Sequence, residues 1–419
     1  MKLKVKKILI PILAVVGSVA LFFLGFFTRE FTYSPNQRAV LSILDKYEKY
    51  YYFESDDVVD IISDAIFDKY SGYMTKNEYE RVKLEATGKN QGIGVSFNLE
   101  SLKIVSVVTN SPCDKAGVKA GGEIVKVSVQ GEDKPFTEYQ EFLDIIESVN
   151  LNQDISLTVN YDGVEQSYSI KKEEYKRSFV TYRDNSGTYN FIDEGGMQLT
   201  LRNLDNIALL DTAYIKYEQF SGRSGGNDGS VGQLKTALEK FKQGGYKNLI
   251  LDLRNNGGGY MDILAEVSGL FVEQSGDEQV VSIAKNKDNK VQNFYVKNNS
   301  YSSYGFEKII VLANQNTASA SEVLIGAMLD YDTQNKVTVV LDGFSENGNT
   351  IYRTYGKGIM QTTYLNLDGS AVKLTTAEIF WPKSNISIHG TGVTTETSNK
   401  VKNAVGVNAY EYALNLLNQ

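Results

Sequence analysis

Two stretches of this chain follow the same grammar: a short, largely apolar run, a turn of small and polar residues, then an apolar helix. In the first, Asn248 to Leu253 leads through Asn255-Asn256-Gly257-Gly258-Gly259 into a helix bearing Met261, Leu264, Val267 and Leu270. In the second, Lys308 to Ala313 leads through Asn314 to Thr317 into a helix from Ala320 to Leu329. A strand that is apolar on both faces needs cover on both, so alternation with helices selects layered α/β packing. Val231, Leu234, Leu238 and Phe241 add a helical face that stops at Gly244-Gly245, just ahead of the first strand.

Composition closes several functional classes. With 419 residues and 42 % apolar content, the chain can bury two or three cores. A net charge of -8, from 43 basic and 51 acidic residues, gives no footprint for nucleic acid. One cysteine, Cys113, excludes an internal disulfide and a cysteine zinc cluster. One histidine, His389, excludes a paired-histidine metalloprotease site and leaves a Ser-His-Asp triad possible only through that residue. No metal or cofactor is expected.

The N-terminus carries Lys2, Lys4, Lys6 and Lys7 ahead of an uncharged run of 20 residues, Ile8 to Phe27. As a helix rising about 1.5 Å per residue, that run covers the roughly 30 Å hydrocarbon core of a bilayer. The lysines favour a cytoplasmic N-terminus, with everything after Arg29 across the membrane. This reads as an uncleaved single-pass anchor over 1–30 in the cell membrane, with a cleaved signal peptide as the alternative. Residues 31–85 read as a helical region. One helix starts at Ser34-Pro35 with Val40, Leu41, Ile43, Leu44 and Tyr47 on one stripe; a second starts near Asp56-Asp57 with Val58, Ile61, Ile62, Ala65 and Ile66.

Residues 86–173 change to short β-rich runs: Gly92 to Phe97, Leu102 to Val108, Ile124 to Val129, Ile155 to Tyr161 and Glu165 to Ile170. Helix signals at Ser111-Pro112 and from Phe136 to Val149 interrupt them, and Asp162-Gly163 joins the last two as a hairpin. Residues 174–419 form the α/β remainder. Its polar stretches at 221–230, 285–304 and 345–350 read as surface loops.

The two strand-turn-helix units place backbone amides where they can converge on negative charge, as acyl transfer requires of an oxyanion site. Ser319, in Ala318-Ser319-Ala320-Ser321-Glu322, stands at a helix mouth with the Ala320 amide beside it. The same residues also fit a capping box, in which Ser319 and Glu322 only close a helix end. The glycine turn fits a tight corner equally well and matches neither common phosphate-binding spacing. A serine nucleophile needs a base, and Lys357 in Tyr355-Gly356-Lys357-Gly358 lies between glycines that admit close backbone approach. Bringing a lysine from about 10.4 to near 7 requires roughly 4 to 5 kcal/mol of differential interaction, which an apolar pocket supplies. Gln361 can orient that amine without adding charge. A solvated turn lysine is the plain alternative.

Taken in order, these pieces resemble the carboxy-terminal processing peptidases, or tail-specific serine proteases. The resemblance covers most of residues 40–419. It rests on Tyr70-Ser71-Gly72-Tyr73-Met74, Gly92-Ile93-Gly94-Val95, Ser111-Pro112 with Lys115-Ala116-Gly117-Val118, Asp252-Leu253-Arg254-Asn255-Asn256, Ala318 to Glu322, and Gly356-Lys357-Gly358 with Gln361. It implies an α/β (α+β) fold, with a crotonase-like peptidase core and an inserted PDZ domain, and a Ser-Lys dyad. By it, Ser319 is the nucleophile, Lys357 the base and Gln361 its orienting partner. The oxyanion hole is the Ala320 amide with one from Gly258 or Gly259. Gly92, Ile93, Gly94 and Val95 would capture the C-terminal carboxylate of a protein substrate, whose tail adds as a strand beside 93–97. The resemblance also implies that the PDZ domain gates the catalytic tunnel.

The chain departs from the family pattern in three places. Ser319 and Lys357 are 38 positions apart, a longer interval than is usual there, with the excess in the polar segment Gly343 to Thr354. Gly121-Gly122-Glu123-Ile124 replaces a common Gly-Asp turn, and Gly392-Val393-Thr394-Thr395-Glu396 replaces an ending with Pro-Asp. His389 reads as structural. The expected function is an endopeptidase that cuts exported or membrane proteins near their C-termini, with homo-oligomerisation left open. A catalytically silent PDZ-bearing anchor that binds protein C-termini is the alternative. An acyl-CoA enzyme on the same fold suits an exported location poorly.

Overall fold

The computed structural model describes residues 33–50, 62, 65–98, 101–191, 197–199, 211–225, 229–276, 278–298 and 300–418. The apolar run 8–27 and most of the second expected helix lie outside them. Among the described residues no helix is long and apolar enough to cross a membrane. The chain divides into two compact units, 1–73 and 74–419.

In the first unit the helix Pro35–Tyr50 forms as its sequence implies. Ser34 Oγ accepts from the Gln37 N–H at 3.3 Å, and the Ser34 N–H donates to Gln37 Oε1 at 2.8 Å.

The second unit begins with the helix Lys76–Ala86, which has no buried residue. A β-rich module follows: β1 (Val95–Asn98), β2 (Ser101–Val107), β3 (Glu123–Val129), α1 (Tyr139–Ser148), β4 (Asp154–Tyr161) and β5 (Val164–Lys171). Its sheet runs β1-β2-β3-β4-β5, leaving β1 at an edge. Cys113, Ile124, Val127, Phe142, Leu157 and Val159 fill a core of its own. A two-stranded ribbon, Lys89–Gly92 against Glu173–Lys176, brings both ends of the module together. The expected strand from Gly92 to Phe97 is therefore two strands. Gly92 (φ 143°) and Gly94 (φ 80°) turn the backbone between them.

The remainder is built on β6 (Val180–Asp184), β7 (Gly187–Phe191), β8 (Met197–Leu199), β9 (Thr212–Tyr217), α2 (Ser230–Gly244), β10 (Asn248–Asp252), α3 (Met261–Phe271), β11 (Val280–Asn286), β12 (Val291–Tyr295), β13 (Lys308–Ala313), α4 (Ala320–Tyr331), β14 (Val337–Leu341), β15 (Phe344–Glu346), β16 (Asn349–Ile351), β17 (Ile359–Leu365), β18 (Ala371–Phe380), β19 (Val401–Asn403) and α5 (Ala409–Leu417). The main sheet runs β8-β7-β6-β9-β10-β13-β14-β19. β9, β10, β13, β14 and β19 are mutually parallel, and β6 to β8 extend the sheet antiparallel.

The period of two along each strand sorts its side chains between layers. Leu249, Leu251, Ile309 and Val311 pack with residues of α2, α3 and α4. Ile250, Ile310, Leu312 and Val340 pack with Ala409, Ala413 and Leu414 of α5. α2 ends where Gly245 enters the left-handed region at φ 71°, the role its sequence implies.

Two of the expected loops are strands. Within 285–304, the end of β11 and all of β12 form an antiparallel hairpin, and β11 pairs with β18, which pairs with β17. β12 is a largely solvated edge strand, so its sequence is polar and hides its pairing. Within 345–350, β15 and β16 close around Asn347 (φ 50°) and Gly348 (φ 79°), the dipeptide suited to a two-residue hairpin turn.

Candidate active site

The glycine turn and the serine turn follow adjacent parallel strands, β10 and β13, at their C-terminal ends. Open α/β sheets place ligands there because both turns and both helix N-termini face one crevice. Backbone bonds lock the turns together. The Ala318 N–H donates to the Asn256 carbonyl at 3.0 Å, and the Ser321 hydroxyl donates to the same oxygen at 3.0 Å. Thr317 Oγ1 donates to the Leu253 carbonyl at 2.9 Å.

Gly258 is where the two turns touch. A Cβ there would lie 2.8 Å from each of Ala318 O, Ala320 N and Ser319 Cβ, so only glycine fits at this φ of 99°. Its own N–H donates to Asn256 Oδ1 at 2.9 Å. Gly259 bridges in parallel to Phe220: Phe220 N–H donates to the Gly258 carbonyl at 3.0 Å and Tyr260 N–H to the Phe220 carbonyl at 2.9 Å. The Gly259 amide faces away from that ladder, and Gly259 is exposed. The Ala320 amide opens α4 and precedes its internal hydrogen bonds.

Ser319 is half-buried and holds φ 57°, ψ -120°, a conformation that costs a non-glycine residue about 1–3 kcal/mol. Strained strand-to-helix turns of this kind present a nucleophile at the mouth of a helix.

Glu322, fully buried on α4, ties this turn to the lysine loop. Its Oε2 accepts from the Ser319 N–H at 2.8 Å and from the Lys357 N–H at 2.9 Å. Its Oε1 accepts from the Gly356 N–H at 2.8 Å and from the Thr354 hydroxyl. Burial pushes the Glu322 carboxyl above the ordinary carboxylate value, against the downward pull of these four donors. Tyr355 N–H also donates to the Thr317 carbonyl at 3.0 Å, so residues 354–357 run directly beside the serine turn. The expectation that Gly356 and Gly358 admit close approach matches the geometry: Cβ atoms there would lie 2.9 Å from Gly392 N and 2.7 Å from His389 N.

Of the residues singled out in the sequence, Ser319, Ala320, Gly258 and Gly259 share one crevice, and the Lys357 backbone is bonded to the same carboxylate as Ser319. Lys357 is half-buried. Gln361 opens a register shift in β17, and its Nε2 reaches Thr375 Oγ1 at 3.5 Å. Gly92 to Val95 lie in the β-rich module. His389 contributes its backbone to the lysine loop and its side chain is exposed. Sequence reasoning recognised Glu322 only as a helix-capping residue. Its bonds to residues 354–357 cross more than thirty positions, and no local pattern signals them. Among the described residues no cluster of His, Cys, Asp and Glu is arranged to hold a metal.

Residues 211–398 match the family model for Peptidase family S41. A CtpA-like serine protease of Staphylococcus saprophyticus is 29 % identical over 334 residues, covering 78 % of this chain and 57 % of that protein. One from Staphylococcus haemolyticus is 28 % identical over 350 residues, covering 82 % and 59 %. The chain thus spans under two thirds of the length of these curated relatives. An S41 protease structure from Bacteroides fragilis superposes with TM-score 0.51 at 14 % identity, over 88 % of this chain and 92 % of that one, which shows a shared fold. The strained serine, the facing glycine turn and the lysine loop all fall within residues 211–398, the part of the chain that matches Peptidase family S41.

Proposed function

We propose that the chain is a serine endopeptidase of the carboxy-terminal processing type, with Ser319 as nucleophile and Lys357 as general base. The observation that carries this reading is Glu322, whose one carboxylate holds both the strained Ser319 turn and the Lys357 backbone. Neutral Lys357 takes the Ser319 hydroxyl proton as Oγ attacks the scissile carbonyl. The oxyanion is held by the Ala320 amide and by the glycine turn. Gly259 is the better second donor, because the Gly258 amide is engaged by Asn256. Collapse expels the amine, which takes its proton from the Lys357 ammonium, and water activated by the regenerated amine hydrolyses the ester. Gln361 orients the base.

The β-rich module acts in this reading as a PDZ domain. Ile93 and Gly94 lie between strands, and among the described residues no protein group accepts from either amide, which leaves them for a terminal carboxylate. Edge strand β1 is open to a substrate strand, and Phe97, packed edge-to-face on Tyr139 and Phe142, forms the apolar floor between β1 and α1. The apolar run 8–27 anchors the protein in the membrane, with the peptidase on the extracytoplasmic side.

The test is cleavage of an unstructured protein by the purified chain. Ser319→Ala and Lys357→Ala should each lower kcat at least 1,000-fold, the scale at which loss of a nucleophile or its base acts, and His389→Ala should leave it within about twofold. A fluorophosphonate probe should label Ser319. Undiminished cleavage by Lys357→Ala ends the dyad assignment; a wild type that binds C-terminal peptides without cutting favours the silent anchor.

A further inference from the structure

A cleft of about 550 Å³ lies on the sheet formed by β12, β11, β18 and β17, apart from the serine crevice. Its size falls within the range of ligand-binding clefts, roughly 300–1,000 Å³. Met360 and Tyr364 of β17 give it an apolar wall. Thr375 and Thr376 of β18 give it hydroxyls, and Lys287 and Lys290 of the β11–β12 turn stand at its rim. The register shift between Met360 and Gln361 leaves Thr376 without a cross-strand partner, and its Oγ1 pairs with Thr362 Oγ1 at 2.7 Å. Such bulges bend a strand and widen the space beside it.

We propose that this cleft is a subsite for an acidic, extended segment of the polypeptide being processed. The inference rests on the peptidase reading above and names a substrate feature of that site. Three observations carry it. Neither Lys287 nor Lys290 is paired with a carboxylate among the described residues, in a chain whose net charge is -8. Asp288 stands between them in the turn but does not line the cleft. β17 begins at Ile359, two positions after Lys357, and Gln361 touches the cleft wall through Thr375. A peptide lying along β17 therefore has a continuous path from the base loop to the two ammonium groups. The concave, hydroxyl-bearing wall suits an extended chain with polar backbone groups, whereas an anionic lipid surface would favour a convex basic patch.

Binding is measured on full-length Ser319→Ala by fluorescence anisotropy, with a labelled unstructured peptide carrying four consecutive glutamates and its glutamine counterpart. At low salt the acidic peptide should bind about tenfold more tightly, the scale of two exposed ion pairs. That ratio should fall toward one in Lys287→Ser/Lys290→Ser and at about 0.5 M salt. In the active chain, KM for the acidic peptide should rise by the same factor in the double variant. Equal affinity for both peptides in the parent, or a double variant that weakens both equally, overturns the subsite. Lysine-dependent binding to vesicles of phosphatidylserine and phosphatidylcholine without peptide preference overturns the polypeptide assignment. A failed Ser-Lys reading would instead show as turnover by Ser319→Ala, which the binding ratio does not measure.

Discussion

Glu322 is the residue on which the candidate site turns. It is a buried acid that accepts from three backbone N–H groups and one hydroxyl. Its raised carboxyl value means that the folded protein holds this proton to higher pH than the unfolded chain. The group's contribution to stability is therefore fully present below about 4.5 and is lost as pH rises through the folded value. Glu322→Gln removes that titration. The melting temperature of the parent relative to Glu322→Gln should be greatest near pH 4 and decline toward neutrality; a gap that widens with pH would show that burial is not the dominant influence. The same variant should lower kcat more than it raises KM, because it loosens the seat of Ser319 and Lys357 and touches no substrate. The turns that carry Ser319, Gly258 and Lys357 are readable in the sequence because turns of glycine and small residues are local signals. The tie between them is not, because it joins residues distant along the chain.

At the level of elements, helices and parallel strands were legible where apolar periodicity is strong, as in α2, β10, α3, β13 and α4. β12 and the β15–β16 hairpin were not, because they keep their polar faces in water and look like loops. α4 shows how tightly the better-read elements pack. Gly326 on α4 sits against the Trp381 indole, and a Cβ there would come within 2.2 Å of Trp381 Cε2 and Nε1. Gly326→Ala should destabilise the protein by about 1–3 kcal/mol in denaturant titrations, the usual cost of overpacking, although alanine favours a helix. Trp381→Phe in the same background should recover part of that loss. A neutral Gly326→Ala would mean that the ring moves freely.

For the molecule as a whole, the β-rich module and the α/β layers carry separate apolar cores. Each holds a unique reporter. Cys113, fully buried in the module, has its thiol pushed up to about 12, chiefly by desolvation and secondarily by Asp114. It should resist a thiol reagent at pH 8 until the module opens. Trp381, the sole tryptophan, lies in the other core. In rising denaturant, Cys113 labelling should precede the loss of Trp381 fluorescence, as expected when the smaller core is the less stable. Coincident midpoints would show one cooperative unit.

The bonds around Glu322 also fix when, in a newly made chain, the serine turn and the lysine loop can be joined. The serine turn emerges from the ribosome well before residues 354–357, and Thr354 in turn accepts from the Val393 N–H at 2.7 Å. Until those later residues fold back, the carboxylate has nothing but the serine turn to grip, and the lysine is not seated. A half-synthesised chain therefore lacks the complete seat of the proposed dyad until translation has passed Val393.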